Sequence, residues 1–208
     1  MSSRRISRSK RKRVGIGNFR LLLLALLCIL VVSFAGWKIW NSDTVQMRFV
    51  YMWDYQQDII TYSEKNRVDP FLVAAIIKNE SNFKHHAVSG VGAVGLMQIM
   101  PETGRWIAEQ MGLENYKDND LYTTKTNIRM GCWYLSELEH EFKHNMVLML
   151  IAYNAGRGQT TEWMQENNWD YNFNDLKVIP YADTREYVAK VLQDRDKYYL
   201  LYKDRLQK

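Results

Sequence analysis

The feature that most limits how this chain can fold is an uncharged, mostly apolar run at residues 21–37, LLLLALLCILVVSFAGW. As a helix, these seventeen residues extend about 26 Å at 1.5 Å per residue, slightly less than the ~30 Å hydrocarbon core of a bilayer. Arg20 and Lys38 flank the run, and their long side chains can reach the membrane interface to make up the difference. The run therefore predicts a single transmembrane anchor.

A cleaved signal peptide is the alternative interpretation, since Ser33-Phe34-Ala35 resembles a small-x-small cleavage site. The apolar region of a signal peptide is usually about 7 to 15 residues long, which is shorter than this run, so an uncleaved anchor is favoured. Because Lys and Arg are retained on the cytoplasmic side, residues 1–20 are predicted to be a cytoplasmic tail. The rest of the chain is then an extracytoplasmic part held at the cell membrane.

The distribution of charge argues against a nucleic-acid-binding protein. Eight of the 28 Lys and Arg residues lie before residue 21, which leaves 20 basic against 23 acidic residues, or about −3, in the remainder. A domain of that charge lacks the basic surface that nucleic acids require. Cys28 lies in the apolar run and Cys132 in a predicted helix, where it is expected to be a small buried residue, so no disulfide pair is predicted in the exported part.

Helix signals dominate the exported part, and no alternating pair of strands appears. Asp69-Pro70 is a strong helix start, followed by the apolar segment FLVAAII. Further helices are predicted to start at Pro101-Glu102 and near residues 124–127. Residues 146–153 contain no polar member until their final Tyr and predict a central core helix, and residues 183–205 form a last amphipathic helix. The predicted fold class is all-α, or nearly so.

Residues 38–65 are assigned to a stalk between the anchor and a domain over residues 66–208. Apolar residues recur at spacings of three and four within residues 41–66, which predicts one helix whose apolar stripe docks on the domain. The stripe comprises Val45, Phe49, Met52 or Trp53, Gln56, Ile59 or Ile60, and Ser63.

Glu80 is the first candidate for chemistry, because it lies at the end of an apolar helix. Burial penalises its charged form, and so does the negative end of the helix dipole, so both effects raise the pKa of the carboxyl. A carboxyl that stays protonated near neutral pH can act as a general acid. The alternative is a glutamate that ends the helix at the surface.

A glycine-punctuated loop follows, in which Gly90, Gly92 and Gly95 allow the backbone to turn closely around a cleft. Gln98 lies in this loop between two apolar residues, and a buried amide needs hydrogen-bonding partners that a bound sugar could supply. The alternative is a surface turn with Gln98 exposed. Tyr153 and Asn154 end the most apolar helix, where polar groups are either satisfied inside or face a cavity.

Four segments resemble, in order and spacing, motifs of the soluble-lytic-transglycosylase family. They are ESNF at 80–83, AVSGVGAVGLMQIMPET at 87–103, AYNAG at 152–156 and IPYADTREYVAKV at 179–191. The resemblance covers about residues 66–192. It implies a lysozyme-like fold that cleaves the bond between N-acetylmuramic acid and N-acetylglucosamine in peptidoglycan, which makes glycan strands the expected partner.

The resemblance also implies roles for particular residues. Glu80 is expected to be the catalytic acid, and substrate-cleft positions fall on Ser89, Met97, Gln98, Tyr153, Asn154 and Tyr187. Asp183 stands where the family usually has a glutamate, which leaves the role of that position open. No cofactor is expected, and a wall-remodelling or envelope-spanning assembly is a further partner class that fits a membrane-anchored enzyme.

The number of carboxylates points to the mechanism. Glycoside hydrolysis ordinarily uses two, but Glu102 is better explained as the start of a helix and Asp69 as a helix cap. A single acid suffices if the substrate supplies its own nucleophiles, as the resemblance implies. Glu80 then protonates the glycosidic oxygen and later takes the proton of the C6 hydroxyl, and the product is a 1,6-anhydro sugar.

Two functions of other classes compete with this one. HEFKH at residues 140–144 matches the zinc-peptidase motif H-E-x-x-H. His140 and His144 fall off the apolar stripe of their helix, and no later histidine could be a third ligand. That stripe comprises Ile128, Cys132, Leu135, Leu138 and Phe142. A wall-binding scaffold that has lost activity is the second alternative, against which the presence of Glu80 argues.

Overall fold

The computed structural model of the protein describes residues 16–206. Of the predicted basic tail, residues 1–15 lie outside the described residues. The described part forms two compact units, one up to Val50 and the other from Tyr51 onward. Apart from isolated bridges in the loop between Val88 and Ile99, its regular structure is helical, which confirms the predicted fold class.

The first unit contains helices α1, Ile16–Trp40, and α2, Asp43–Phe49. Helix α1 is longer than the predicted anchor at both ends, and its 25 residues correspond to about 37 Å. The stretch Phe19–Trp40 is long and apolar enough to cross a membrane, and none of it is buried within the protein. Helix α2 buries no residue either.

The second unit contains seven α-helices within the described residues. They are α3 (Gln56–Asn66), α4 (Pro70–Ser81), α5 (Pro101–Gln110), α6 (Thr124–Glu141), α7 (Met146–Ala155), α8 (Arg157–Glu166) and α9 (Ala182–Leu206). Short 3-10 turns lie at Asp118–Tyr122 and Leu176–Val178. The predicted starts of α4 and α5 are confirmed, and Asp69 Oδ1 accepts a hydrogen bond from the Phe71 amide at 2.9 Å as the N-cap of α4.

The single helix predicted over residues 41–66 is wrong, because α2 and α3 are separate helices. Ile59 and Ser63 on α3 are buried as the stripe predicts, whereas Phe49 on α2 is exposed. The break has a tertiary cause: Trp53 packs against the ring of Tyr202 at 5.0 Å, and the Tyr202 hydroxyl donates to the Tyr51 carbonyl at 2.7 Å. The second unit therefore begins upstream of the predicted boundary at residue 66.

The core of this unit surrounds α4 and α7. Residues 73–77 of α4 and residues 150–152 of α7 are completely inaccessible to solvent, as their lack of polar side chains predicts. Helix α4 packs mainly against α9, and α3 against α6. Cys132 is buried in α6, and burial raises the pKa of its thiol to about 12, which confirms that it is a packed side chain. These contacts fix where the end of α4 lies.

Candidate active site

The end of α4 carries Glu80 to a position covered by the following loop. The helix closes at Asn82, whose backbone is left-handed with φ 49°. Ser81 is buried, and its hydroxyl donates to the Leu96 carbonyl at 2.8 Å and to the Ile77 carbonyl at 3.1 Å. Helix end and loop are therefore tied together, and Glu80 is only partly accessible to solvent.

A polar cluster just before Glu80 fixes α4 against α9. Asp194 of α9 is buried, and its Oδ2 accepts from Lys78 Nζ at 2.7 Å and from Asn79 Nδ2 at 2.8 Å. Two donors compensate for burial of this carboxylate. Tyr187 lies seven residues before Asp194, about two helical turns along α9, so the cluster sets Tyr187 opposite the end of α4.

Glu80 has an environment that favours its protonated form. Burial raises the pKa of Glu80 from its ordinary value of 4.5 to about 7, and a hydrogen-bonding interaction with the Tyr187 hydroxyl opposes the rise. The pKa values of Tyr153 and Tyr187 are raised well above the ordinary value, first by burial and then by the charge of Glu80. The direction for Glu80 is the one that its place on an apolar helix predicts.

The Tyr187 hydroxyl is buried and has no partner of normal hydrogen-bond geometry in residues 16–206. Buried polar groups usually have partners, and Glu80 interacts with this hydroxyl. The two tyrosines differ in this respect, because the Tyr153 hydroxyl donates to the Met97 carbonyl at 2.7 Å. Glu80 thus faces one tyrosine that is fixed by the loop and one hydroxyl that is free to respond to its charge.

The loop over the site depends on a close backbone approach at Gly95. Gly95 has φ +80°, and a Cβ at this position would lie 2.6 Å from the Leu121 carbonyl oxygen and 2.3 Å from Asn127 Nδ2. Asn127 is buried and holds the loop, because its Oδ1 accepts from the Met97 amide at 2.8 Å and its Nδ2 donates to the Val94 carbonyl at 3.0 Å. Sequence reasoning missed Asn127, although a polar residue next to Ile128 on the apolar stripe of α6 was a signal for it.

Met97 differs from the other predicted cleft residues, because its side chain is fully buried beneath Gly131. A Cβ on Gly131 would lie 2.2 Å from Met97 Sδ, so the methionine fills the space that the glycine leaves. A side chain in this place does not reach a ligand. Met97 takes part in the site through its backbone carbonyl, which orients Tyr153.

Gln98 and Ser89 brace the loop from within. Gln98 is partly buried with left-handed φ 46°, and its Nε2 donates to the Gly95 carbonyl at 2.8 Å and the Ala87 carbonyl at 3.2 Å. Gln98 is therefore not the exposed residue of a surface turn. Ser89 Oγ accepts from the Ala93 amide at 2.9 Å and closes the tight turn at the loop tip.

A cavity of about 260 Å³ adjoins Tyr153 and brings several of the predicted residues together. Gln98, Tyr153 and Asn154 line it, together with Tyr134, which sequence reasoning missed. Ser89 and Glu80 do not line it, and Glu80 is connected to it through Tyr153. Asn154 Oδ1 accepts from Thr184 Oγ1 at 2.8 Å, so a residue of the fourth motif orients the amide of the third.

In residues 16–206 the H-E-x-x-H segment is not part of any group of three His, Cys, Asp or Glu side chains that could hold a metal ion, although the rings of His140 and His144 lie 5.6 Å apart. Helix α6 ends at Glu141, and Lys143 and His144 have left-handed backbones with φ 48° and 62°, so the two histidines do not share a helical turn. Glu141 Oε2 pairs with Arg157 Nε at 2.6 Å, and 67% of the His144 side chain is exposed. The motif therefore lies at a fraying helix end on the surface.

Comparison with known proteins places the chain in a family. The family model of the transglycosylase SLT domain matches residues 57–175. The soluble lytic murein transglycosylase of Salmonella typhimurium is 32% identical over 165 residues, which cover 78% of this chain and 25% of that protein. The membrane-bound lytic murein transglycosylase E of Buchnera aphidicola is 31% identical, covering 69% of this chain and 72% of that protein.

A solved structure agrees in fold as well as in sequence. The 70 kDa soluble lytic transglycosylase of Escherichia coli superposes with a TM-score of 0.68 at 28% identity, over 78% of this chain and 26% of that one. The chain thus spans about a quarter of the length of the first relatives it matches. With more than half of its residues matched by the family model, the chain belongs to the family of proteins that carry a transglycosylase SLT domain.

Proposed function

We propose that this protein is a membrane-anchored lytic transglycosylase that cleaves the β-1,4 bond between N-acetylmuramic acid and N-acetylglucosamine in peptidoglycan. The observation that carries the proposal is the state of Glu80, which is partly buried, interacts with the Tyr187 hydroxyl, and has a pKa of about 7. The names of the relatives, lytic murein transglycosylases, support the same reaction.

In the first step Glu80 acts as general acid. A carboxyl with a pKa of about 7 is protonated in a large fraction of molecules at neutral pH and can still give up its proton, which is the balance that acid catalysis requires. Glu80 donates this proton to the bridging oxygen, the bond from that oxygen to C1 of the muramic sugar breaks, and positive charge develops at C1. The N-acetyl group of the same sugar stabilises that charge.

In the second step the same carboxylate acts as base. The C6 hydroxyl of the muramic sugar attacks C1, its proton passes to Glu80, and the 1,6-anhydro ring closes without consuming water. The Tyr187 hydroxyl has no other partner within the described residues and donates to the anionic Glu80 between the two steps. Among the described residues, those that line the cavity of about 260 Å³ beside Tyr153 include no Asp or Glu. This cavity therefore lacks the second carboxylate that glycoside hydrolysis ordinarily uses.

The polar side chains of the cavity suit the substituents of an amino sugar. Gln98 Nε2 donates both of its hydrogen bonds to loop carbonyls. Gln98 Oε1 is therefore left to accept from a hydroxyl or an amide N–H of the sugar. The hydroxyl of Thr184 donates to Asn154 Oδ1 and so fixes the amide of Asn154. Asn154 Nδ2 is then left to donate to the sugar. Ser89 and Met97 contribute by shaping the loop, Met97 through its backbone carbonyl.

Helix α1 supplies the proposed membrane anchor. The described stretch Phe19–Trp40 has the length and composition of a membrane span, and Lys and Arg before it favour a cytoplasmic N-terminus. The domain that follows would then work on wall material close to the outer face of the membrane. The membrane-bound relative from Buchnera aphidicola fits this arrangement.

Analysis of the cleaved ends tests the proposal. The full chain in detergent micelles is incubated with purified glycan strands, and the products are separated and weighed by mass spectrometry. We expect 1,6-anhydromuramic ends, which are lighter than hydrolysed ends by one water molecule. Reducing muramic ends as the main product would show a hydrolase and overturn the mechanism.

A further inference from the structure

Two neighbouring residues of α9 hold this helix against opposite ends of α4. Near the end of α4 that leads into the active site, Asp194 Oδ2 accepts from Lys78 Nζ at 2.7 Å and from Asn79 Nδ2 at 2.8 Å. At the start of α4, Arg195 Nε donates to Asp69 Oδ2 at 2.7 Å. Both ion pairs join the same two helices, but only the one formed by Asp194 adjoins the candidate active site.

Asp194 is the more deeply buried of the two acids. Its side chain is 10% exposed, against 22% for Asp69. It also faces the Tyr51 hydroxyl, since the pKa of Tyr51 is raised to about 12, first by burial and then by the charge of Asp194 and a hydrogen-bonding interaction with it. The Lys78 ammonium lies 4.9 Å from the centroid of the Tyr51 ring. A buried carboxylate that lost these partners would be strongly destabilised, so the cluster fixes the place where α9 lies against the last turn of α4.

Tyr187 depends on this attachment for its position. It precedes Asp194 by seven residues, or about two helical turns, and both lie on the face of α9 that also carries the fully buried Val191. Because α9 is continuous over this stretch, a shift of Asp194 carries Tyr187 with it. The Tyr187 hydroxyl has no partner of normal hydrogen-bond geometry in residues 16–206, and it interacts with Glu80. The distance from this hydroxyl to Glu80 is therefore set by how α9 is held on α4.

Two other groups near Glu80 do not provide this link. Tyr153 faces Glu80 from α7, but its hydroxyl donates to the Met97 carbonyl at 2.7 Å and is held by the loop. Lys78 is on the same helix as Glu80, and a separation of two residues turns it about 200° around the helix axis. The ion pair of Lys78 therefore acts on Glu80 through the position of α9 and not by contact.

We propose that Asp194 is a positioning residue of the active site, because its bonds to α4 place the Tyr187 hydroxyl within reach of Glu80. The neighbouring Arg195 holds the far end of α4 and contributes to the fold alone. The inference rests on the proposed function, in which Glu80 is the acid and its anion between the two steps is stabilised by this hydroxyl.

Titration of the Glu80 carboxyl tests the proposal without a substrate. The full chain in detergent micelles is labelled with ¹³C at the side-chain carboxyl of glutamate and followed by NMR, and Glu80→Gln identifies the signal of Glu80. In Asp194→Asn the Tyr187 hydroxyl no longer stabilises the anion, so we expect the pKa of Glu80 to rise above its value of about 7. Arg195→Gln is the matched control: it removes the other ion pair between the same helices, and should lower the melting temperature without changing this pKa.

The direction of the shift separates positioning from a direct effect of charge. Asp194→Asn leaves the Lys78 ammonium without its carboxylate partner, and an uncompensated positive charge near Glu80 would lower its pKa. A fall in this pKa, or no change, would therefore overturn the inference. A rise of the same size in Arg195→Gln would also overturn it, because any loosening of α9 would then have the same effect.

A double-mutant cycle tests whether Asp194 acts through Tyr187. In a Tyr187→Phe background no hydroxyl remains to be placed, so adding Asp194→Asn should raise the pKa of Glu80 no further. A second rise equal to the one in the wild-type background would show that Asp194 acts by another route, and the inference would be wrong.

Asn79→Ala is a milder variant that keeps the proposal testable if Asp194→Asn does not fold. It removes one of the two donors on α4 and leaves the ion pair with Lys78. We expect a smaller rise in the pKa of Glu80 in the same direction, and the absence of any rise would overturn the inference.

Rates of strand cleavage connect the positioning role to the proposed function. We expect Asp194→Asn to lower kcat about tenfold, within the range that a misplacement of about 1 Å can cause, with little change in KM, and Arg195→Gln to leave both unchanged. A raised pKa in Asp194→Asn with no anhydro product from the wild type would keep the placement of Tyr187 on Glu80 and overturn the proposed function. Anhydro products with an unchanged pKa in Asp194→Asn would keep the proposed function and overturn the positioning role.

Discussion

Helices α4 and α6 both end beside a glutamate that a sequence motif marks for chemistry, yet their ends lie in opposite environments. Glu80 is partly buried, faces two tyrosines, and has a pKa raised by burial to about 7. Glu141 pairs with Arg157, and the neighbouring His144 is mostly exposed. A reactive residue type at a helix end is therefore not sufficient to make a site.

What distinguishes the two ends is the chain that covers them. The end of α4 is covered by the loop at residues 87–99, which Ser81 binds directly, and faces Tyr187 of α9. After α6, Lys143 and His144 turn outward in left-handed conformations and are exposed. Burial raises the pKa of a carboxyl, and the segments that cover the end of α4 supply this burial for Glu80.

The largest expected effect comes from removing the carboxyl of Glu80 at the end of α4. Removing a histidine at the end of α6 serves as the comparison. Glu80→Gln should lower the rate of strand cleavage about 10²- to 10⁴-fold, the usual contribution of general acid–base catalysis. His144→Asn, at the exposed end of the other motif, should leave the rate unchanged. Release of anhydro products from purified strands is the measurement.

Two results would reverse this comparison. Equal activity of Glu80→Gln and the wild type would remove Glu80 from the mechanism and favour a wall-binding scaffold. Loss of activity in His144→Asn, together with loss on adding a chelator, would favour the zinc-peptidase alternative.

The same two glutamates should differ in how they affect stability with pH. Glu80 titrates near 4.5 when unfolded and at about 7 when folded, so between these values the unfolded chain releases a proton that the folded chain keeps. Stability therefore falls as the pH rises through this window, by up to about 3 kcal/mol above pH 7. Glu80→Gln, which carries no charge, should match the wild type near pH 4 and be more stable at pH 8.

Urea unfolding at the two pH values measures this difference. Glu141→Gln is the matched control, and it should gain no stability at pH 8, because it removes the contact between Glu141 and Arg157. If the difference in unfolding free energy between Glu80→Gln and the wild type were the same at both pH values, Glu80 would be an ordinary solvated glutamate.

Local signals made part of this architecture predictable. Asp69, Pro70 and the apolar residues after them determine α4 within a dozen positions, and the structure has the predicted cap. The direction of the shift in the pKa of Glu80 was predicted from the same short segment, although the burial that causes it also involves covering segments elsewhere in the chain. Caps, prolines and apolar runs act over one or two helical turns, so the sequence shows them directly.

The rest depended on contacts that are remote in the chain. Asp194 binds Lys78 across 116 residues, and neither residue alone indicates a partner. The break between α2 and α3 follows no Gly or Pro, because it arises where Trp53 docks on Tyr202, while the apolar spacing continues through it. Tyr134 has the spacing of a core residue and is recognised as a cavity wall only once α7 is placed beside it.

A smaller effect, on the free energy of unfolding, is expected when the loop that covers the end of α4 is changed and Glu80 is kept. Gly95→Ala places a Cβ 2.6 Å from the Leu121 carbonyl at a left-handed φ, so we expect a loss of about 2 kcal/mol in the free energy of unfolding. Gly90→Ala, in the same loop with nothing within 4 Å of its Cβ, should cost little. Equal melting temperatures for the two variants would show that the loop does not need this close approach.

The smallest effect, a change in pH profile, would show whether Tyr187 acts on Glu80. Its hydroxyl lowers the pKa of Glu80, so Tyr187→Phe should raise that pKa further and move the alkaline fall in kcat/KM, expected near pH 7, to higher pH. Tyr199→Phe, on an exposed position of the same helix, should leave the profile unchanged. A fall that stays in place or moves to lower pH in Tyr187→Phe would mean that burial alone sets the titration of Glu80, and that the free hydroxyl of α9 does not stabilise the anion between the two steps.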